Sequence, residues 1–310
     1  MPWLRLIIGL AIVGGLCSCE RPSTSEPAAT APSREVLTTF YPTTYFAQRI
    51  AGGLVPVRCP LPEDQDPATW EPDTDAIRAY QSAAVIFVNG ASFEQWVPRA
   101  PLPRSRLVDT TAARRDELLH YAHATTHSHG PAGEHSHEGI DGHTWLDPIM
   151  AISQAEAIRD GLISAFPEHE SAFAANAHEL IADLRALDRE LAELKPLLED
   201  TLIICSHPAY NYLAHRYGWN IHTFDLDPQG VVDQERAEEL ARLVRASNAN
   251  KHVVLWESPP REQIKRSLSE SAGAASVLFS PCETPPDEGD YLDVMRANIA
   301  NLREAVSRGG

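Results

Sequence analysis

A short segment of this 310-residue chain holds seven of its thirteen histidines, between His120 and His143. The segment reads HYAHATTHSHGPAGEHSHEGIDGH, and Gly, Pro, Ser and Thr separate the histidines without an apolar period. Because neutral imidazoles bind borderline ions such as Zn²⁺, Cu²⁺ and Ni²⁺, this composition predicts a metal-gathering loop over residues 120–143. The alternative is a solvated loop without a ligand. Two repeats of His-Ser-His can each bring two imidazoles to one ion on an extended backbone: His127 with His129, and His135 with His137.

The elements that must position these histidines alternate between β-rich runs and helical segments. Helices are expected over 44–51, near Asp75, over 93–97, after each later strand, and finally over 290–307. Such alternation builds parallel sheets. We therefore predict an α/β protein with two lobes, each with a parallel four-stranded sheet. The predicted strands are VLTTF, VPVRC, AAVIFVN and RLVDT in the first lobe, and TLIICS, WNIHTF, HVVLWE and AASVLFS in the second.

Between the lobes, apolar residues recur at intervals of three and four from Glu168 to Lys195, between Pro167 and Pro196. This spacing predicts one long helix joining the lobes, within a linking segment over 168–199. At a rise of about 1.5 Å per residue, such a helix is about 40 Å long. We therefore expect a rigid connection and little lobe motion, with a first lobe over 35–167 and a second over 200–310.

The first residues predict export and anchoring. Arg5 is followed by an apolar run over 6–16, which is too short to span a bilayer as a mature helix. Its end, Leu-Cys-Ser-Cys, resembles a bacterial lipobox and predicts a signal peptide over 1–18 and lipidation of Cys19. Cys17 fits the pattern less well, and cleavage without lipidation is the alternative. Residues 19–34 have the Pro-, Ser-, Thr- and Ala-rich composition of a flexible tether. The expected location is the membrane surface facing the periplasm or the cell exterior.

The charge balance excludes one class of partner. The formal net charge is −17, and the sequence has no cluster of Lys and Arg of the kind that binds phosphates, so no nucleic-acid partner is expected. An acidic chain is compatible with collecting cations.

Two motifs and several longer segments indicate a family. The motifs are GHTWLDP (142–148), with His143, and SHPAYNYLAHRYG (206–218), with His207. Together with AAVIFVNGASFEQW (83–96), VVLWES (253–258) and GDYLDVMRANIANL (289–302), they resemble the metal-specific solute-binding proteins of bacterial ABC transporters for zinc and manganese. The resemblance implies that His143 and His207 are metal ligands and that the chain is not an enzyme. It also implies delivery of the ion to a permease and its ATPase.

Two positions depart from that family's pattern. Ala68 stands in the segment DPATWEP where the family has a ligand histidine, and Ser280 stands where it has an aspartate. Because a zinc site needs about four donors, or three and water, replacements must come from elsewhere. We favour the loop histidines as additional ligands. The other candidates are Glu63, Asp64, Asp66, Glu257 and Glu283.

Zinc is the expected ion because imidazole-rich sites suit it, although manganese or another divalent metal remains an alternative. Since imidazoles bind only when neutral, capture should weaken as the pH falls through about 6.5. Two other functions are alternatives. One is a zinc-dependent hydrolase, although the sequence contains no HExxH or GxSxG motif. The other is a metal-buffering or adhesin lipoprotein without a transporter.

Three cysteines lie in the body of the chain, and an exported protein is expected to oxidise a pair of them. Cys205 and Cys282 both lie near predicted strand ends of the second lobe, which favours a disulfide between them over one with Cys59. The alternative is a thiolate near the site, which suits a softer ion such as Zn²⁺ or Cu(I).

Overall fold

The structure is a computed structural model that describes residues 34–63, 65–121, 125–128, 134–137, 139–224 and 226–308, with backbone alone for 125–128, 134–137 and 308. The predicted signal peptide, Cys19 and the predicted tether lie outside the described residues, apart from Arg34.

Two parallel four-stranded sheets form the framework, which confirms the predicted fold class. The first sheet contains β1 (Val36–Thr38), β2 (Val57–Arg58), β3 (Val85–Val88) and β4 (Leu107–Asp109) in the order β2-β1-β3-β4. A separate antiparallel pair, β5 (Thr125–Ser128) and β6 (Glu134–His137), follows it. The second sheet contains β7 (Thr201–Cys205), β8 (Ile221–Thr223), β9 (Lys251–Trp256) and β10 (Ala275–Leu278). Read from β8, its order β8-β7-β9-β10 repeats that of the first sheet.

Helices connect and cover these sheets. They are α1 (Tyr41–Ala51), α2 (Thr74–Ser82), α3 (Pro148–Ala165), α4 (Glu170–Ala192), α5 (Lys195–Leu198), α6 (Asn211–Tyr217), α7 (Gln234–Ala246), α8 (Glu262–Ala272) and α9 (Tyr291–Arg308). Among the described residues, no helix is both long and apolar enough to cross a membrane.

The 23-residue helix α4 lies between the two sheets in sequence and buries the residues that recur at intervals of three and four. Two residues separate it from α5, whose second residue is Pro196. Proline cannot donate the hydrogen bond that would continue a helix, which accounts for the break. The buried side chains of α4 are Phe173, Ala177, Leu180, Ile181, Leu184, Leu187 and Leu191.

Three clusters of buried apolar side chains hold the two sheets and their helices together. The largest cluster is continuous across both sheets and the helices α1, α3, α4 and α9. A second cluster lies between the second sheet and helices α7 and α8, and a third covers the first sheet beside α2. The ends of both sheets are therefore fixed relative to each other by a shared core, which matters for any site built between them.

The helix predicted over 93–97 is wrong. Residues 93–96 form no helix, and only a 3₁₀ turn at Val97–Arg99 follows. The turn directly before them, over residues 90–92, has positive φ angles of 82°, 49° and 60°. The buried carboxylate of Glu94 accepts the backbone N–H groups of Asn89 at 2.7 Å and Gly90 at 3.3 Å, so the chain is folded back into a turn. These hydrogen bonds to a buried acid outweigh the local helical preference.

Candidate metal centre

Three side chains that can donate to a metal converge between the two sheets. His143 follows the first sheet, His207 follows β7, and Glu283 follows β10. One donor atom from each lies within 4.8 Å of the others, and the two histidines are buried. The imidazole Nε2 of His143 lies 3.2 Å from Oε1 of Glu283, and the two imidazole centroids are 5.4 Å apart. Two imidazoles and a carboxylate are the donor types that zinc binds in proteins.

The position of His143 is set by the turn that starts α3. Asp147 caps that helix by accepting the N–H of Ile149 at 2.9 Å, and Pro148 occupies its first position. A 3₁₀ turn over Thr144–Leu146 precedes Asp147, so His143 lies directly before a turn whose backbone is fixed.

A buried polar network from the first sheet supports this segment from behind. Asn89, just after β3, donates to the carbonyl of Gly142 at 2.9 Å and accepts from Thr144 Oγ1 at 3.1 Å. A Cβ on Gly142 would lie only 2.9 Å from the Cβ of Phe93, so this position requires glycine. The end of the first sheet thus fixes the segment that carries His143.

Asp141 orients the imidazole of His143. It is fully buried, and its Oδ1 accepts the backbone N–H of His143 at 3.0 Å and lies 2.8 Å from His143 Nδ1. The hydroxyl of Tyr121 donates to the same oxygen at 2.9 Å. Because Nδ1 is held by Asp141, Nε2 is the nitrogen available to a metal, as in the carboxylate–histidine–metal arrangement. Asp141 was missed in the sequence, although an aspartate two residues before a ligand histidine is visible in the segment DGH.

The charges around His143 keep it protonated in the absence of metal. Burial lowers the pKa of His143, but the carboxylates of Asp141 and Glu283 outweigh burial and raise that pKa to about 10. Protonated His143 also stabilises the metal-free fold. That contribution is complete below about pH 6.5, the ordinary histidine pKa, and is lost as the pH rises through about 10.

Zinc binding is therefore expected to release about one proton from His143 at pH 7, because only the neutral imidazole binds metal. From this proton alone, the apparent zinc affinity should rise about tenfold per pH unit. The rise should continue beyond pH 6.5, the value expected from the sequence, up to about pH 10. Calorimetric titrations at pH 7 in buffers of different ionisation enthalpy measure the released protons. A zinc enthalpy that is independent of the buffer would show that His143 does not exchange its proton for metal.

His207 and Glu257 come from neighbouring strands of the second sheet. His207 lies two residues beyond β7 and Glu257 directly follows β9, so both side chains lie at the carboxyl edge where α/β proteins place ligands. Glu257 Oε2 lies 3.3 Å from Nδ1 of His207. Glu257 is thus in position to orient His207, while the group of three donors consists of His143, His207 and Glu283.

The remaining candidates from the sequence occupy different places. Glu63 is exposed and, with Asp66, lines a cavity of about 290 Å³ that Glu257 and Glu283 also line. Asp64 lies outside the described residues. Ser280 supports its own turn, since its Oγ accepts the N–H of Cys282 at 3.1 Å.

The histidine-rich segment carries backbone pairing that was not predicted. Its described parts, β5 and β6, form an antiparallel pair in which His127 lies opposite His135 and Thr125 lies opposite His137. His129 lies outside the described residues, and the structure describes His127, His135 and His137 by their backbone alone. The base of this segment is fixed by hydrogen bonds from Tyr121 N to Gly139 O at 2.9 Å and from Asp141 N to Leu119 O at 2.8 Å. Its base therefore continues directly into the residues that hold His143.

The predicted disulfide is not formed, because Cys59, Cys205 and Cys282 are all free thiols. Cys205 is the last residue of β7, whereas Cys282 lies four residues beyond β10, and β9 separates these two strands. Burial, with the nearby carboxylates of Asp290 and Glu283, raises the pKa of Cys282 to about 12. Its thiol is therefore protonated at neutral pH, which disfavours the thiolate alternative.

Two imidazoles and a carboxylate that converge from two lobes, each with a parallel sheet, define a class of two-lobed proteins suited to hold a metal ion. Comparison with known families agrees with this class. The family described as "ZnuA: Zinc-uptake complex component A periplasmic" matches residues 36–305, and the chain belongs to this family.

Two proteins named for zinc binding or zinc uptake are similar in sequence to this chain. The chain is 29% identical over 286 residues to the zinc-binding lipoprotein AdcA of Streptococcus pneumoniae TIGR4, covering 89% of this chain and 56% of that protein. It thus spans about half the length of AdcA. It is 28% identical over 315 residues to the high-affinity zinc uptake system protein ZnuA of Bacillus subtilis 168, covering 98% of both chains.

Solved structures share the fold. The metal-dependent lipoprotein YcdH of Bacillus subtilis superposes with a TM-score of 0.75 at 24% identity, over 88% of this chain and 99% of that one. Zn(II)-bound AdcA of Streptococcus pneumoniae superposes with a TM-score of 0.73 at 25% identity, over 88% of this chain and 58% of that one.

Proposed function

We propose that this protein captures zinc outside the cytoplasm and delivers it to an ABC permease driven by its ATPase. The observation that carries the proposal is the convergence of His143, His207 and Glu283 within 4.8 Å between two lobes. Membership of the zinc-uptake family and the zinc-binding names of the relatives support the choice of ion.

In this proposal the protein binds its ion without catalysing a reaction. Three protein donors leave room for a fourth, and we propose that a histidine of the segment over 120–143 supplies it in place of the missing one at Ala68. The ion is held at the edge of both sheets, where Glu257 and Glu283 face a cavity through which it can enter and leave.

We further propose the organisation expected from the sequence: a signal peptide over 1–18, a tether over 19–34 lipidated at Cys19, and two lobes joined by a rigid helix. A lipid-anchored chain would keep its cargo near the permease. The named relatives include lipoproteins and a component described as periplasmic, which supports an exported location.

Equilibrium titration of the metal-free protein tests the choice of ion. We expect zinc to bind at least about tenfold more tightly than manganese, since imidazole donors favour zinc over manganese. Competition against a chelating dye of known affinity measures both constants. Equal or tighter manganese binding would contradict the proposed cargo.

Deletion of the gene tests the uptake role. We expect the deletion to impair growth under zinc limitation, and unimpaired growth would contradict this role.

A further inference from the structure

The carboxylate of Asp141 contacts both lobes. Its Oδ1 holds His143 from the first lobe, through the backbone N–H and Nδ1 of that residue. Its Oδ2 accepts a hydrogen bond of 2.8 Å from the side-chain amide of Asn211, the first residue of α6 in the second lobe. One buried carboxylate therefore binds a metal-binding histidine on one side and a helix of the opposite lobe on the other.

The next residue of α6 strengthens the same contact. The hydroxyl of Tyr212 donates to the backbone carbonyl of Asp141 at 2.9 Å and accepts the N–H of Leu119 at 3.0 Å. Leu119 and Asp141 are themselves paired at the base of the histidine-rich segment. Two consecutive side chains of α6 thus hold the backbone and the carboxylate that orient His143.

We propose that Asp141 and Asn211 form a positioning pair that makes the orientation of His143 depend on the docking of α6. This inference rests on the proposed function, because it assigns the pair a role in binding zinc. A buried carboxylate oxygen without a hydrogen bond is costly, so loss of the Asn211 bond leaves Oδ2 unsatisfied and favours a rotation of the carboxylate that gives Oδ2 another donor. Rotation would withdraw Oδ1 from Nδ1 and release the imidazole from the geometry that points Nε2 at the metal.

The pair also connects the two histidines of the site. Helix α6 begins four residues after His207, so its position and that of His207 are set by the same short segment. The orientation of one histidine is therefore coupled to the placement of the other. Since such coupling is reciprocal, zinc bound by both histidines should favour the docked position of α6.

Replacing Asn211 with alanine tests the pair directly. We expect Asn211→Ala to weaken zinc binding about 10- to 100-fold, the usual effect of removing a partner of a ligand-orienting group. Co²⁺ bound in place of zinc should show an altered visible absorption spectrum, because its d–d bands report ligand geometry. Asn248→Ala, an exposed position in the same lobe, is the matched control and should change neither property.

A second variant keeps the test independent of stability. Tyr212→Phe removes the other bond from α6 to Asp141 and should change the cobalt spectrum in the same direction, with thermal unfolding of each metal-free variant as the folding control. Unchanged zinc affinity in Asn211→Ala, or weaker affinity with an unchanged cobalt spectrum, would overturn the positioning role. A wild-type protein that binds no zinc would instead overturn the proposed function.

Discussion

Replacing His143 with alanine is expected to weaken zinc binding by about a hundredfold or more. Four-ligand zinc sites in small peptides are worth about 10–16 kcal/mol, or about 3 kcal/mol per ligand, and about 1.4 kcal/mol is a factor of ten. His143 is buried, and its Nε2 faces Glu283 at 3.2 Å, so neither solvent nor a neighbouring side chain can readily replace it. Competition titration with a chelating dye measures the loss.

The matched control is His178→Ala, because His178 is an exposed residue of the long helix α4. That variant should bind zinc as the wild type does. Retention of wild-type affinity by His143→Ala would remove His143 from the ligand set. Loss of affinity in both variants would point to a general effect of histidine removal.

Shortening the histidine-rich segment is expected to produce the second large effect. Tyr121 and Gly139 are hydrogen-bonded across its base, so residues 122–138 can be replaced by Asn-Gly, which closes a two-residue hairpin. This deletion keeps Tyr121 and Asp141, which hold His143. If a histidine of the segment completes the site, zinc affinity should fall about 10- to 100-fold, since water would replace a protein donor.

The control for this deletion keeps the chain length and replaces only the imidazoles that the deletion removes, with serine in place of His123, His127, His129, His135 and His137. Both variants should lose affinity to a similar extent if the imidazoles are responsible. Unchanged high-affinity binding in both would mean that His143, His207 and Glu283 hold the ion without help from the segment.

The strands were predictable because each is a short apolar run ended by a polar residue, and all eight predicted runs overlap strands of the two sheets. Helix α3 was not predicted. Buried residues occupy consecutive positions from Met150 to Ala155, so they lie on several faces of the helix and leave no periodic apolar stripe. A helix packed on several sides carries too weak a pattern to be recognised by period alone.

The candidate site was predictable only in part. The motifs containing His143 and His207 indicated both histidines, and Glu283 was one of several acidic candidates that local sequence could not rank. Which of these carboxylates lies beside the histidines depends on which strand ends of the second sheet face the first lobe. Strand order decides this, and local sequence does not show strand order. A related limitation produced the wrong disulfide, since the sequence does not show where the loop after β10 places Cys282 relative to the end of β7.

The repeated strand order of the two sheets has a consequence for how this protein can diversify. The first sheet contributes a buried network around Asn89 and Glu94 that fixes the backbone, whereas the second contributes His207, Glu257 and Glu283 from its strand ends. The first sheet thus fixes the backbone that carries His143, whereas the second sheet places donors directly beyond its strand ends. We therefore expect substitutions at the strand ends of the second lobe to alter ion preference without disturbing the buried hydrogen bonds of the first lobe.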